Sequence, residues 1–234
     1  MIDLGIVMQL IGLAVVDAIN PCELAVMAMV LAAVLLNNPE KRRNILLAGL
    51  AFTSAVFIGY FIYGIVIVNF FKYLIPETSI FSLYVFKGFG VLAIILGLLN
   101  IKDYLFYRPG GVATEMPLSF RPRVKLLISR ITSPLGAFFI GLFVTVFLLP
   151  CTMGPYFIFS GIIKDFTLME ASFLLILYNL IFVIPMIILT LVIYLGATSV
   201  EKVSGWKEKN IKKLHLLEGI ILIILGILMV TGVI

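Results

Sequence analysis

Side chains suited to water or to metal ions are scarce in this sequence. Charged residues make up 12% of its 234 positions, and it holds one histidine, His215, and two cysteines, Cys22 and Cys151. Soluble domains are roughly 45–50% apolar, whereas this chain is 62% apolar, with a mean hydropathy of +1.21. One water-soluble core cannot bury so much apolar surface, so we expect lipid to surround much of the chain.

Other absences narrow the class of protein further. No basic segment precedes the first apolar run, which is too long for a cleaved signal peptide, so we expect a retained helix. The apolar runs lack the two-residue alternation of barrel strands, which leaves helices as the spanning elements. A single histidine and two cysteines are few ligands for a metal site. We therefore expect neither a bound metal nor a cofactor.

Six apolar stretches are long enough to cross a bilayer, which takes about 20 mostly apolar residues. They predict an all-α integral membrane protein with six transmembrane helices. The expected spans are 4–36, 44–69, 80–100, 134–163, 171–195 and 214–234. Lys87 and Glu218 lie in the third and sixth spans, where we expect them to extend toward the membrane surface. His215 is expected at that surface as well.

The basic residues predict how the chain is oriented. The net charge is +5, and 14 of the 17 Lys and Arg residues lie in the first, third and fifth loops. Because basic loops remain in the cytoplasm, we expect a cell-membrane protein with both termini outside. The charge therefore indicates orientation in lipid, with no nucleic-acid partner.

The two halves of the chain match at a constant offset of 129 residues. The matched positions include Pro21-Cys22 with Pro150-Cys151, Gly90 with Gly219, and Gly97 with Gly226. Each half has three helices, and because this number is odd, the second half enters the membrane from the side opposite to the first. The arrangement predicts an inverted repeat. The expected units are 1–100, a cytoplasmic linker at 101–133, and 134–234. Ser133-Pro134 is typical of an N-cap and first helical residue opening the fourth span.

Each cysteine follows a proline near the middle of a long span. Pro21 and Pro150 each remove a helical N–H and clash with the preceding turn, so we expect helices 1 and 4 to kink or break there. Gly154-Pro155 predicts a second interruption after Cys151. Irregular backbone within a bilayer must be buried in protein or line a cavity, which predicts a cleft at the cysteines.

Two thiols near the membrane midplane could bind a soft metal or cycle between dithiol and disulfide. Metal binding usually needs more ligands, whereas exchange needs only the two sulfur atoms and access for an outside thiol. Other polar residues flank the prolines and cysteines. Asn20 could bond the freed backbone, Glu23 could accept a proton from a thiol, and Thr152 and Asp17 could support the helix ends.

Pro150-Cys151-Thr152-Met153-Gly154-Pro155 and Ala18-Ile19-Asn20-Pro21-Cys22-Glu23 resemble the motifs of the CcdA family and of the membrane domain of DsbD. The resemblance extends over essentially the whole chain. It implies that Cys22 and Cys151 form the redox pair and that Pro21 and Pro150 interrupt the helices. The first motif lacks the prolines that commonly follow its cysteine. We expect the stand-alone, CcdA-like form, without the soluble domains of full-length DsbD.

The resemblance implies a membrane thiol–disulfide oxidoreductase that supports cytochrome c maturation. Cytoplasmic thioredoxin would reduce the Cys22–Cys151 disulfide, and the dithiol would then reduce an extracytoplasmic thioredoxin-like protein. The alternative is a small-solute or metal-ion exporter whose binding site is formed by the interrupted helices. A purely structural membrane subunit is a third possibility, but it explains neither the repeat nor the paired motifs.

The orientation can be tested with a reporter enzyme that is active only outside the cytoplasm. Because the basic loops should remain inside, we expect activity when the reporter follows the C-terminus and none when it is inserted within 101–133. The opposite pattern would contradict the predicted topology.

Overall fold

The described part of the chain is entirely helical. The computed structural model describes residues 4–19, 21–37, 42–74, 80–107, 133–196 and 200–233, with Pro122, Arg123, Leu126 and Ile128. Within the helices, no side chain is described at 21–25, 36–37, 42, 74, 80–83, 85–86, 147–153, 200–201, 203–204 and 207–208. Seven helices of eight residues or more are present in these ranges, and none of these residues forms a strand. They are α1 (Leu4–Ala18), α2 (Pro21–Asn37), α3 (Arg42–Leu74), α4 (Ile80–Leu105), α5 (Pro134–Ile162), α6 (Leu168–Tyr194) and α7 (Val200–Thr231).

Among the residues that the structure describes, four helices are long and apolar enough to cross a membrane. They contain the stretches Arg43–Tyr73, Lys87–Leu105, Leu168–Tyr194 and Lys209–Thr231, which correspond to four of the six expected spans. Shorter apolar segments lie at Leu4–Ala18, Val26–Leu35 and Pro134–Val146 among the described side chains. The length and composition of the four helices indicate a membrane protein.

The first expected span is divided into two helices. α1 ends at Ala18 and α2 begins at Pro21, so the predicted interruption at the first Pro-Cys is confirmed. Proline is well suited to the first position of a helix, because its fixed φ is helical and its missing N–H would have no partner within the helix. The interruption therefore lies immediately before Cys22.

The fourth expected span behaves differently. α5 is continuous from Pro134 to Ile162 through Pro150 and Gly154-Pro155. The predicted helix breaks at these two places are therefore wrong. α6 likewise contains Pro185 without a break. Neighbouring helices allow proline within a transmembrane helix when local adjustments satisfy the freed carbonyl group. A kink at Pro150, the other expected outcome, stays a prediction.

Helix starts follow capping rules that can be read from the sequence. The Ser133 hydroxyl accepts a hydrogen bond from Gly136 N at 3.1 Å, and Pro134 is the first residue of α5, as expected. At α6, Thr167 and Glu170 form a reciprocal capping box, in which each side chain bonds the backbone N–H of the other. These caps satisfy N–H groups that a helix start leaves without intrahelical partners.

α4 and α7 pack together through glycines on both helices. A Cβ placed on Gly226 would lie 2.5 Å from the Gly90 carbonyl oxygen, and one on Gly97 would lie 2.8 Å from the Gly219 carbonyl oxygen. No side chain larger than hydrogen fits at such distances. Small residues at these positions therefore let the two backbones touch, as in other closely packed membrane helices.

The remaining helices enclose a core rich in aromatic side chains. α3 packs against α5 and α6, and α1 packs against the same two helices. The largest fully buried rings are Tyr60 and Phe52 from α3, Tyr156 and Phe159 from α5, and Tyr178 from α6. Because tyrosine hydroxyls must be hydrogen-bonded when buried, the core also contains polar contacts.

We expect Gly226→Ala to destabilise the protein by about 1–3 kcal/mol, because the added methyl group must push two backbones apart. Thermal unfolding in detergent measures the effect. Gly88→Ala is the matched control, since a Cβ there meets no atom within 4 Å. Equal unfolding temperatures for the two variants would contradict the close α4–α7 contact.

Candidate functional site

The residues predicted for the redox site lie at the start of α2 and in the middle of α5. Pro21, Cys22 and Glu23 are the first three residues of α2, and Pro150, Cys151 and Thr152 lie within α5. The side chains of these six are not among those described, and Asn20 lies outside the described residues. The pairing of Cys22 with Cys151 therefore stays a prediction.

Gly154 and Pro155 follow Cys151 in α5. A Cβ on Gly154 would lie 2.4 Å from Leu96 Cδ1 of α4, and Pro155 is buried. Gly154 therefore makes a close contact between α5 and α4, whereas the sequence predicted a helix interruption at this point. The proline continues the buried side of the helix.

Asp17, near the end of α1, is the buried carboxylate closest in sequence to a cysteine among the described side chains. Its side chain is 1% exposed, and the Tyr178 hydroxyl of α6 donates a hydrogen bond to Oδ2 at 2.5 Å. A carboxylate inside an apolar bundle is costly unless it is hydrogen-bonded, and in membrane helices such groups are commonly functional. This contact joins α1 to α6.

Tyr156 extends the polar contacts to the helix that carries Cys151. The Tyr156 hydroxyl donates to the Tyr60 carbonyl oxygen at 2.6 Å and receives a 3.4 Å contact from Asn179 Nδ2. Its ring packs edge-on against Tyr178, with centroids 5.1 Å apart. Asp17, Tyr60, Tyr156, Tyr178 and Asn179 thus form one cluster, which we name the Asp17 cluster.

The Asp17 cluster lies close in sequence to both expected cysteine positions. Asp17 precedes Cys22 by five residues, and Tyr156 follows Cys151 by five. In the continuous helix α5, five residues correspond to a rise of about 7.5 Å. The cluster therefore connects α1, which precedes Pro21-Cys22, with the part of α5 that follows Pro150-Cys151.

Some acceptors near the cluster have no hydrogen-bond partner among the described residues. They are the amide oxygen of Asn179 on α6 and the hydroxyl of Ser160 on α5. Both side chains are fully buried. Because buried polar groups are nearly always satisfied, these atoms mark a polar part of the core that could accommodate a further donor.

A second buried polar cluster lies at the α4–α7 contact. Asn100 Nδ2 donates to the Leu96 carbonyl oxygen, so its Oδ1 faces His215 and accepts from Nδ1–H at 2.8 Å. Glu218 Oε2 is 3.7 Å from the same nitrogen, and His215 and Glu218 are both buried. Glu218 is therefore buried beside His215 instead of extending outward as expected, whereas Lys87 is exposed. The depth of Lys87 and His215 in the membrane stays a prediction.

Neither polar cluster contains a set of metal ligands among its described side chains. Among the side chains that the structure describes, no three His, Cys, Asp or Glu residues come together as a set of ligands. The chemistry available in the Asp17 cluster is hydrogen bonding and proton transfer by a carboxyl group and hydroxyl groups.

Comparisons with models of protein families, with curated proteins and with solved structures gave no match to this chain. The resemblance to the CcdA family therefore depends on the two Pro-Cys motifs and on the pattern of spans, and it stays a prediction.

The sequence singled out Asp17 but not its partners. Tyr178 is 161 residues away along the chain, and nothing in its apolar surroundings distinguishes it from other tyrosines in spans. The available signal was a carboxylate within an apolar run, which requires a buried donor. Which residue supplies that donor depends on how the helices pack and rotate.

Tyr178→Phe should destabilise the protein by about 1–3 kcal/mol, because it removes a donor from a buried carboxylate. The midpoint of thermal unfolding in detergent is the measurement. Tyr73→Phe serves as the control, since Tyr73 is 94% exposed. If both variants unfold at the wild-type temperature, the hydrogen bond to Asp17 contributes nothing to folding.

Proposed function

We propose that this chain is a membrane thiol–disulfide electron carrier in which Cys22 and Cys151 alternate between a dithiol and a disulfide. The observation that carries the proposal is the Asp17 cluster. Hydrogen bonds and ring contacts run from Asp17 of α1 through Tyr178 of α6 to Tyr156 of α5. The cluster therefore joins α1, which ends just before the first Pro-Cys motif, to α5, which carries the second.

The helix packing supports the approach of the two cysteines. α5, which carries Cys151, packs against both α1 and α2, the helices on either side of the interruption that precedes Cys22. In α5, the residues seven before and four after Cys151 are Val144 and Pro155, and both are buried. A disulfide requires Cα atoms within about 7 Å, which helices in direct contact can provide.

The glycine contacts support six spans arranged as an inverted repeat. Gly90 approaches Gly226, and Gly97 approaches Gly219. At the repeat offset of 129 residues, Gly219 corresponds to Gly90 and Gly226 corresponds to Gly97. Gly90 therefore contacts the repeat equivalent of Gly97, and Gly97 contacts the repeat equivalent of Gly90. A two-fold axis between α4 and α7 requires this pairing. Working sites of such repeats commonly lie where the halves meet.

The chemistry is two successive thiol–disulfide exchanges. A cytoplasmic dithiol protein of the thioredoxin class attacks the Cys22–Cys151 disulfide, passes through a mixed disulfide and leaves two thiols on this chain. The two thiols then reduce a disulfide in an extracytoplasmic thioredoxin-like protein. The basic loops support a cytoplasmic first partner, and the resemblance to the CcdA family supports a role in cytochrome c maturation.

The proposal can be tested by electron transfer across vesicles that contain the purified protein. Reduced thioredoxin is supplied on the side of the basic loops, and reduction of an enclosed disulfide-bonded thioredoxin-like protein is measured. We expect transfer with the wild type and loss of at least 100-fold with Cys22→Ser or Cys151→Ser. Ser160→Ala, a small change in α5 that spares both cysteines, should retain transfer.

The same variants separate the carrier from the alternative exporter. An exporter that binds its solute at the interrupted helix should retain transport when both cysteines are replaced by alanine, because the sulfur atoms would be incidental. Full transfer of reducing equivalents by the cysteine-free chain would overturn the carrier proposal.

A further inference from the structure

The N-terminal part of α7 extends beyond the helix that α7 packs against. α4 and α7 are antiparallel, with Gly97 beside Gly219. At the same register, Leu105, the last residue of α4, lies opposite Ile211. Ile211 is buried, whereas the side chains described between 202 and 209 are exposed. The first turns of α7 therefore project from the bundle as a helix, by about 15 Å at 1.5 Å per residue.

One face of the projecting helix and of the turn that follows it carries three lysines and a tryptophan. The four residues are spaced by four, three and four positions, which places them along one side of an α-helix. They are Lys202, Trp206, Lys209 and Lys213, and all four are exposed. The Asn210 amide donates to the Trp206 carbonyl oxygen at 2.8 Å and adds a bond across this helical turn. We name these four residues the lysine–tryptophan face.

The composition of this face favours an anionic partner. The segment 200–213 contains five lysines and two glutamates, so its net charge is positive. Basic residues near the ends of spans orient a membrane protein, but that role requires neither a projecting helix nor an exposed aromatic ring. Trp206 is the only tryptophan in the sequence and is 55% exposed. Tryptophan is among the side chains that contribute most to protein interfaces, and surrounding lysines complement an acidic surface.

The position of the face along α7 favours a protein over the membrane surface. From Ile211 to Thr231, the end of α7, the helix extends about 30 Å, which matches the hydrocarbon layer of a bilayer. The headgroup region adds roughly 5–8 Å on each side. Trp206 lies about 7.5 Å beyond Ile211 along the helix, and Lys202 lies about 14 Å beyond it. A helix that continues the direction of its span therefore carries this face past the headgroups into water.

We propose that the lysine–tryptophan face docks the cytoplasmic dithiol protein that reduces this chain, through an acidic part of that protein's surface. This docking role rests on the function proposed above. α7 begins at the fifth loop, one of the basic loops expected in the cytoplasm, so the face lies on the side from which this partner comes. Charge steers the two proteins together, and the Trp206 ring becomes buried in the contact.

A charged, projecting surface suits a partner that must leave in every cycle. The oxidised dithiol protein has to separate before a reduced copy can bind. Electrostatic complementarity raises the rate of association more than the lifetime of a complex, and transient contacts are commonly small. Because salt screens exposed charges, the affinity of this contact should depend strongly on ionic strength.

The test measures binding of thioredoxin where no thiol exchange can occur. The full-length chain with both cysteines replaced by serine is placed in nanodiscs of phosphatidylcholine, and a thioredoxin of net negative charge is added. We expect a complex whose affinity falls about 10-fold between roughly 0.02 and 0.2 M salt, because ions screen the exposed charges. An affinity that does not change with salt would contradict docking through the lysines.

Variants of the face separate the contribution of the ring from that of the charges. Trp206→Ala should weaken thioredoxin binding about 10-fold or more, because the aromatic anchor is lost. Replacing Lys202, Lys209 and Lys213 together by glutamate should weaken it about 100-fold at low salt, because like charges then face each other. Lys72→Glu is the matched control, since it makes the same charge change at an exposed lysine in the last turn of α3. It should bind thioredoxin as tightly as the unmodified chain.

Tryptophan fluorescence distinguishes docking of a protein from adhesion to lipid. The single tryptophan reports directly on the surroundings of the face. In nanodiscs that contain anionic phosphatidylglycerol, quenchers attached to the lipid headgroups should leave the emission of Trp206 unchanged until thioredoxin is added. Quenching by these lipids, together with loss of thioredoxin binding, would place the face on the membrane and overturn the proposal.

The outcomes distinguish docking from the carrier function. A chain that binds no thioredoxin, or variants of the face that bind it as tightly as the unmodified chain, would overturn the docking role and leave the carrier to the vesicle assay. Binding that depends on the face, combined with a wild type that transfers no electrons in vesicles, would overturn the carrier alone. If the triple lysine variant does not fold, Trp206→Ala and the salt dependence decide the question.

Discussion

The described helices are organised around a carboxylate that has to be satisfied away from water. Asp17 lies inside an apolar bundle, and its charge or its hydroxyl proton requires a partner there. Tyr178 supplies that partner from α6, and Tyr156 of α5 packs against Tyr178 while it donates to the backbone of α3. Four helices, among them the α5 that contains Cys151, are therefore positioned by one continuous set of polar and aromatic contacts.

Backbone chemistry sets the two other features that the proposed function needs. Proline at the start of α2 divides the first span immediately before Cys22. Glycines allow the backbones of α4 and α7 to touch at two places, where Gly90 meets Gly226 and Gly97 meets Gly219. The two contacts are related by the 129-residue offset between the halves of the chain. The proposed carrier must expose its thiols to two compartments in turn, and both features lie in elements that the inverted repeat would relate.

The sequence predicted the features that depend on local chemistry. The long apolar stretches predicted the positions of α3, α4, α6 and α7. Ser133-Pro134 predicted the start of α5, and Pro21 predicted the interruption between α1 and α2. The break at Pro150 was wrong because packing can hold a proline within a helix. Glu218 was misplaced because its burial depends on His215 and on the α4–α7 contact, and the 161-residue separation of Asp17 from Tyr178 carries no local signal.

The central claim is that Cys22 and Cys151 can form one disulfide between the two halves of the chain. A protease site inserted within 101–133 allows the halves to be separated after mild oxidation in the membrane. We expect the cleaved protein to migrate as one species without reductant and as two fragments once reductant is added. Two fragments under both conditions, with both thiols free to alkylation, would contradict the account.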